Sequence, residues 1–391
     1  MKKLILPLLV CALITVSLTS CSDNYKKDVV ETTPVAETLA LNVTQPPTTT
    51  ASATQQETTQ SATEEPELNL YSNSISKINL QSSDEYIESI YPNNAYHPKL
   101  IDMGHSWRGY RYWISYTPYP NAKDYYENPH IVASNDLINY SEIKFAEPEL
   151  TNHKKSVCYN SDSHLVYNSE LDRLELFWRY TDYDNEYMCL YMRYSTDGNN
   201  WSDKTVVFET CNNSKEDMIS PTLIYENGIY KIWYENDYRI LYREFADGVW
   251  SSPTVCNMEF EDGAYLWHLD VIRTERGYEF LGCACTDKND RRHMNLYYST
   301  SDDGINWSTA SVVISPSSDE HNWDGGGLYR ATFIYSDGIY YVLYSGRNDY
   351  DDFGTGLLFG KDMYSLRGTD LDYINDEQKS AADFWRYIRS L

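Results

Sequence analysis

The sequence predicts an all-β protein, a five-bladed β-propeller that ends in a C-terminal helix. Three observations support this prediction. A β-strand pattern recurs five times between about residues 97 and 366, a turn closes each copy, and helical periodicity is lacking before the last twenty residues. Self-similarity at a fixed period of this size is typical of propellers, in which each repeat forms one antiparallel blade.

Each copy opens with a polar residue followed by an apolar run, which predicts the first strand of a blade. The five opening residues are His97, Asp162, Ser220, His268 and Arg330. A second strand follows after a short turn, often with the sequence Gly-x-Tyr, as at Gly228 and Gly338. Short apolar runs bounded by turn residues are the expected pattern of consecutive strands.

The turns that close the copies mark the repeat length. Their aspartates are spaced by 61, 50, 56 and 59 residues and are Asp136, Asp197, Asp247, Asp303 and Asp362. The clearest examples read Ser-x-Asp-Gly-x-x-Trp and begin at Ser195 and Ser301. We expect the aspartate to cap the turn, which is a structural and not a catalytic role.

The N-terminus predicts export and lipid anchoring. Residues 1–20 combine Lys2 and Lys3 with an apolar stretch that is too short for a membrane span, as in a signal peptide. The following Leu18-Thr-Ser-Cys21 resembles a bacterial lipobox, which implies lipidation at Cys21 and an extracytoplasmic protein anchored to the cell membrane. An ordinary secretory signal is the alternative.

The rest of the chain divides into a tether and one domain. Residues 21–66 are rich in Thr, Ser, Pro and Glu and predict a disordered tether, because they offer little apolar surface to bury. Residues 67–391 are predicted to form the propeller, with residues 70–80 as candidates for the outer strand of the fifth blade. The spacing of apolar residues predicts the terminal helix over 372–391.

Charge and cysteine content narrow the possible partners. A net charge of −26 repels nucleic acid, so we exclude nucleic acid as a partner. The cysteines and histidines show no spacing typical of a metal site, so the sequence names no metal and no other cofactor and leaves a bound cation open. No particular disulfide is predicted.

Candidate site residues follow from propeller geometry, because the first strand of every blade lines the central channel. The five opening residues should therefore form a ring at one end of the channel. A second ring lies two positions further along and contains Lys99, His164, Thr222, Asp270 and Thr332. The second strands end near the same mouth with Thr117, Arg179, Glu235, Cys283 and Arg347. Salt bridges between blades are the alternative role of these charged residues.

The five-fold repeat, the turns at Ser195 and Ser301, and the lead-in from Tyr96 to Ile101 resemble the five-bladed propeller superfamily that includes the family 43 and family 32 glycoside hydrolases. The resemblance covers about residues 90–366. It implies three acidic residues at the channel mouth, but His97-Pro98 stands where the family has Asp-Pro. Asp162 and Glu235 are possible counterparts, with Asp270 as a third carboxylate.

The resulting hypothesis is a glycoside hydrolase that acts on a polysaccharide or oligosaccharide. Glycoside cleavage needs one protonated and one ionised carboxyl group, and we assign Glu235 as the acid and Asp162 or Asp270 as the base. The predicted substrate-binding residues are His97, Arg179, His268, Arg330 and Arg347. The alternative is a non-catalytic glycan-binding or adhesion lipoprotein, which the replacement of the family's aspartate by His97 favours.

Overall fold

The computed structural model describes residues 69–391 except 151–153, 212–215, 351, 377–380 and 391. The expectations for residues 1–20, for lipidation at Cys21 and for the tether at 21–66 lie outside the described residues. Within the described ranges, no helix is both long and apolar enough to cross a membrane.

The strands form five antiparallel sheets that follow one another along the chain. Blade 1 contains β1 (Ala95–Trp107), β2 (Tyr110–Pro118), β3 (His130–Ser134) and β4 (Phe145–Ala146). Blade 2 contains β5 (Cys158–Asn168), β6 (Arg173–Asp182), β7 (Tyr187–Ser195) and β8 (Thr205–Cys211). Blade 3 contains β9 (Ile219–Glu226), β10 (Ile229–Asn236), β11 (Arg239–Ala246), β12 (Val249–Trp250) and β13 (Thr254–Val255). Blade 4 contains β14 (Tyr265–Thr274), β15 (Gly277–Cys285), β16 (Asn295–Ser301) and β17 (Ser311–Ile314). Blade 5 contains β18 (Gly327–Ser336), β19 (Ile339–Arg347) and β20 (Phe353–Gly360).

The blades close into a ring around a central channel. The first strand of each blade contacts the first strand of the next, in the order β1, β5, β9, β14 and β18, and β18 returns to β1. This circular arrangement confirms the predicted five-bladed propeller and the prediction that the five opening segments face one axis.

Among the described residues, the fifth blade has three regular strands and no regular fourth strand. Residues 72–80 are not in a strand, although the Ile78 N–H donates to the carbonyl of Thr355 at 2.8 Å. Tyr71 forms an isolated bridge with Gly368. The expectation that residues 70–80 form the outer strand is therefore wrong in detail, but this segment does attach the N-terminal side of the domain to blade 5.

In the described part of the chain three short α-helices flank the ring, α1 (Glu85–Ile90), α2 (Leu371–Asp376) and α3 (Ala381–Ser390), and two 3-10 turns (Pro120–Ala122 and Asp124–Tyr126) follow β2. The last two correspond to the predicted terminal helix. On α3, Phe384, Trp385 and Ile388 are buried in a core cluster shared by blades 1 and 5. The helix thus covers the seam where the ring closes.

The repeated turns have the structural role that the sequence predicts. The carboxylate of Asp197 accepts from the backbone N–H of Asn200 at 2.7 Å, and Asp303 accepts from that of Asn306 at 2.7 Å. These bonds satisfy turn amides that no strand neighbour can reach. Both turns follow the C-terminal ends of the third strands β7 and β16, and the channel mouth lies at the opposite ends of these strands.

Five cysteines of the described part of the chain are buried free thiols, namely Cys158, Cys189, Cys256, Cys283 and Cys285. Burial raises the pKa of Cys256 to about 12, so this thiol is neutral at physiological pH. These cysteines pack as small core residues.

Candidate active site at the channel mouth

A break in the regular strand pairing occurs at the same place in every first strand. In β1 the register shifts between Tyr96 and Lys99, and in β5 it shifts between Ser161 and His164. His97, Asp162 and Ser220, at matching positions of blades 1 to 3, have φ angles of 52°, 52° and 55°. Bulges re-aim side chains, and non-glycine residues with such φ values concentrate at functional sites.

The bulges open onto a cavity of about 810 Å³. Its wall includes five of the eight predicted catalytic or substrate-binding residues, which are His97, Asp162, Arg179, Glu235 and His268. Asp270, Arg330 and Arg347 do not line it. A cavity of this size is typical of small-ligand sites in proteins.

Three side chains from three different blades meet at the bottom of the cavity. Ligand atoms of His97, Asp162 and His268 all lie within 4.8 Å of one another. His268 Nδ1 is 3.4 Å from Asp162 Oδ1, and the two imidazole centroids are 5.4 Å apart. All three residues are buried. We call His97, Asp162 and His268 the axial triad.

The surroundings set the protonation state of the axial triad. Burial lowers the pKa of both His97 and His268, so the imidazoles are neutral near neutral pH. Burial alone would raise the pKa of Asp162, but its contact with His268 and the charge of Arg330 outweigh that effect and hold the pKa below its usual range. Two neutral imidazoles and one carboxylate are the protonation states that a metal ion requires.

The imidazole nitrogens of the triad that are not engaged in strong hydrogen bonds are also available to a divalent cation. His97 Nδ1 is 2.8 Å from Thr117 Oγ1 and 3.3 Å from Glu127 Oε2, which leaves its Nε2 available. Both ring nitrogens of His268 are buried, and apart from the 3.4 Å approach of Nδ1 to Asp162 Oδ1 neither has a hydrogen-bond partner among the described residues. Buried polar atoms normally have partners. Zn²⁺ takes nitrogen and oxygen ligands at about 2.0 to 2.2 Å, and ligand atoms within 4.8 Å of one another are close to the spread that one such ion requires. The sequence names no metal ligands, whereas the folded chain brings together a candidate set in the axial triad.

Glu235 supplies a protonated carboxyl group to the same cavity. Its Oε1 accepts from the backbone N–H of Tyr238 at 2.5 Å, and its Oε2 is buried without a partner among the described residues. Burial raises the pKa of Glu235 to about 8. At neutral pH this side chain is therefore mostly protonated, which is the state that a general acid needs.

Asp270 lies below the cavity, in the second ring of channel residues. Lys99 Nζ donates to both of its oxygens at 2.8 and 2.9 Å, and Thr332 Oγ1 donates at 2.7 Å. This network is fully buried and closes the channel floor. The carboxylate of Asp270 is thus engaged away from the cavity wall and is not placed to serve as the predicted base.

Two of the three predicted arginines lie away from the cavity wall. Arg330 is 1% exposed, and its Nη1 lies 3.4 Å from Asp162 Oδ1. The bulge of blade 5 presents Tyr329 to the cavity. Arg330 therefore contacts Asp162 of the axial triad from the side away from the cavity. Arg347, at the end of β19, lies over the ring of Phe353. The sequence predicts that both arginines bind substrate, but neither Arg330 nor Arg347 lines the cavity.

Several residues of the cavity wall were not among those predicted from the sequence. Tyr329 packs against both imidazoles, with centroid distances of 5.4 Å to His97 and 4.5 Å to His268. Glu127 is 5% exposed, and burial raises its pKa well above the usual range. The tyrosine-rich segment 116–129, which begins in β2 and ends just after Glu127, was the feature of the sequence that could have indicated these residues. For Trp267 and Arg291, which also line the cavity, no local pattern pointed to the site.

Comparison with known proteins places this geometry in context. No family model matches the sequence. The chain is 27% identical over 292 residues to an A type blood N-acetyl-α-D-galactosamine deacetylase of Flavonifractor plautii, a match that covers 62% of this chain and 38% of that protein. The chain therefore spans well under half the length of that relative.

Solved structures share the fold. The crystal structure of an N-acetylgalactosamine deacetylase from F. plautii, in complex with blood group B trisaccharide, matches with a TM-score of 0.64 and 21% identity, over 80% of this chain and 99% of that one. An α-L-arabinanase of Cellvibrio cellulosa complexed with arabinohexaose matches with a TM-score of 0.51 and 14% identity, over 72% and 97%. A thermostable family-43 glycoside hydrolase matches at 0.50 and 13%, over 70% and 92%. The resemblance to family 43 propellers is confirmed for the fold.

Proposed function

We propose that the protein is a glycan-acting hydrolase that removes an acetyl group from an N-acetylated sugar, with a divalent cation held by the axial triad. The convergence of two neutral imidazoles and one carboxylate at the bottom of an open cavity carries this proposal. A bound cation would polarise the acetyl carbonyl and lower the pKa of water.

The side chains of this chain then have distinct tasks. The reaction adds water to the amide, breaks the C–N bond and gives acetate and the free amine. Glu235, protonated at neutral pH, donates a proton to the leaving nitrogen. Glu127 contacts His97 Nδ1 and fixes the orientation of that imidazole. Tyr119 and Tyr329 flank His97 and keep bulk water from its ring.

The relative of Flavonifractor plautii supports this proposal, because its described activity is the deacetylation of an N-acetylated sugar. The replacement of the expected Asp-Pro by His97-Pro98 also fits, since imidazole is a common metal ligand, whereas glycoside cleavage uses a pair of carboxyl groups. The support concerns the reaction class, and the identity of the sugar stays open to experiment.

Glycoside hydrolysis is the second candidate, and one observation favours it. Asp162 is held ionised while Glu235 is protonated, and both line the same cavity. This is the division of labour that glycosidases use. Activity of this kind would release a reducing sugar and would not need a cation.

The decisive experiment measures acetate and reducing sugar together, with N-acetylated oligosaccharides as substrates, before and after treatment with a chelator. We expect acetate release that is lost on chelation and restored by a divalent cation. His268→Gln should abolish both activity and bound metal, whereas His105→Gln, an exposed histidine outside the cavity, should leave both unchanged.

Other results would redirect the assignment. Reducing sugar produced in the presence of chelator, and lost in Glu235→Gln, would replace deacetylation with glycoside hydrolysis. Saturable binding without either product would favour the non-catalytic glycan-binding alternative. Metal analysis of wild type and His268→Gln tests the cation site independently of any substrate.

We also propose that the protein acts outside the cytoplasm, anchored by lipid at Cys21. The support is the lipobox-like sequence Leu18–Cys21 after a signal-like segment. Metabolic labelling with a fatty acid should mark the wild-type protein and not Cys21→Ser, and equal labelling would contradict the assignment.

A further inference from the structure

We propose that one lip of the cavity binds an anionic group, a carboxylate or a sulfate, on the sugar next to the one that is processed. This inference rests on the proposed action on glycans. The lip consists of Tyr238, Trp267, Lys288 and Arg291, and we call it the cationic lip.

The cationic lip is built from two blades. Tyr238 lies in the turn between β10 and β11, Trp267 lies near the start of β14, and the two cations lie in the loop after β15. Tyr238, Trp267 and Arg291 all belong to the cavity wall. The lip therefore borders the site where the axial triad lies but contains none of its residues.

Aromatic faces hold the two cations in place. The guanidinium of Arg291 lies 3.8 Å from the centroid of the Trp267 ring, and its Nη2 donates to the Tyr238 hydroxyl at 2.7 Å. Lys288 Nζ lies over the Tyr265 ring at 4.4 Å and over Tyr238 at 5.0 Å. Stacking on an aromatic ring orients a cation and leaves its in-plane N–H donors free for an acceptor.

Among the described residues Arg291 and Lys288 form no ion pair, although Asp287 and Asp290 adjoin them in the chain and the charge of Arg291 acts on the Glu235 carboxyl. In the part of the chain that the structure describes, no carboxylate lies within 4.0 Å of Arg291 or Lys288. The chain has 58 acidic and 32 basic residues, so most cations should find acidic neighbours. Arg291 in the cavity wall and Lys288 beside it make no ion pair with any described residue, so their N–H donors are available to an external anion.

A hydrogen bond joins the cationic lip to the rest of the cavity wall. Trp267, whose Nε1 donates to the Tyr329 hydroxyl at 2.8 Å, links the lip to the aromatic wall around the axial triad. Arg guanidinium groups bind carboxylates and sulfur or phosphorus oxyanions through paired N–H donors. The ligand class is therefore an N-acetylated glycan that carries a uronate or a sulfate near the acetylated residue.

The test compares binding of three N-acetylated oligosaccharides: neutral chitohexaose, unsulfated chondroitin fragments with uronates, and keratan sulfate fragments with sulfate but no uronate. Dissociation constants are measured at 50 and 300 mM NaCl. We expect at least one anionic ligand to bind about tenfold more tightly than chitohexaose at low salt, with the preference reduced at high salt. The two anionic ligands distinguish a carboxylate site from a sulfate site.

Variants assign the preference to the cationic lip. Arg291→Gln should reduce the preference for the anionic ligand about tenfold. Lys361→Gln removes an equal charge from an exposed residue at the opposite end of blade 5 and should leave it unchanged. Equal binding of neutral and anionic ligands by the wild type, or equal effects of the two substitutions, would overturn the inference. Because this experiment measures binding, the anion preference of the cationic lip is tested separately from the proposed deacetylation.

Discussion

Replacing Glu235 with glutamine should remove a pH-dependent cost from the folded state. The buried carboxyl has a pKa raised from 4.5 to about 8, chiefly by burial. One pKa unit corresponds to about 1.4 kcal/mol, so the shift amounts to about 5 kcal/mol. Glutamine has nearly the same shape and can still accept from the Tyr238 N–H.

The sign follows from proton linkage. Below pH 4.5 both the folded and the unfolded protein bind the Glu235 proton, and the cost is absent. Between pH 4.5 and 8 only the folded state keeps the proton, so this residue makes the free energy of unfolding fall by about 1.4 kcal/mol per pH unit as pH rises. Above pH 8 the folded state must bury an anion, and the full cost is present.

The assay is urea unfolding of wild type and Glu235→Gln at several pH values between 5 and 9. Other titrating groups contribute to both proteins, so the informative quantity is the difference between their free energies of unfolding. We expect this difference to move in favour of the variant by several kcal/mol across the range. Glu142→Gln, at an exposed position, serves as the matched control and should track the wild type. A difference that stays flat from pH 5 to 8 would refute the assignment of Glu235 as a protonated acid.

Two further predictions concern the scaffold around the site. Lys99→Met should destabilise the protein by about 3 to 5 kcal/mol, because it leaves the buried Asp270 carboxylate without its cation. The double variant with Asp270→Leu should recover part of this loss in thermal unfolding, and no recovery would contradict the pairing. Gly198→Ala should cost about 2 kcal/mol or more, since φ is +78° and a Cβ would clash with the Trp113 ring. Gly104→Ala, with φ of +68° and open space around it, should cost less, and equal losses would show that the ring contact is unimportant.

The sequence predicted the fold because a propeller is built from local repeats. Each blade needs only strands that are adjacent in the chain, so its strand and turn pattern is visible within about fifty to sixty residues. The channel-facing residues followed from the same periodicity. The repeat alone therefore predicted that His97, Asp162 and His268 lie at one mouth of the channel.

The tertiary structure decided what these residues form together. The axial triad draws one residue from each of three blades, and no spacing along the chain marks it as a ligand set. The bulges decided the rest, because the pairing shift in β18 brings Tyr329 to the cavity and leaves Arg330 behind Asp162. Strand periodicity is local and can be read from sequence, whereas bulge position and burial depend on packing between blades, and these determine which polar groups reach the cavity and which of them carry a proton.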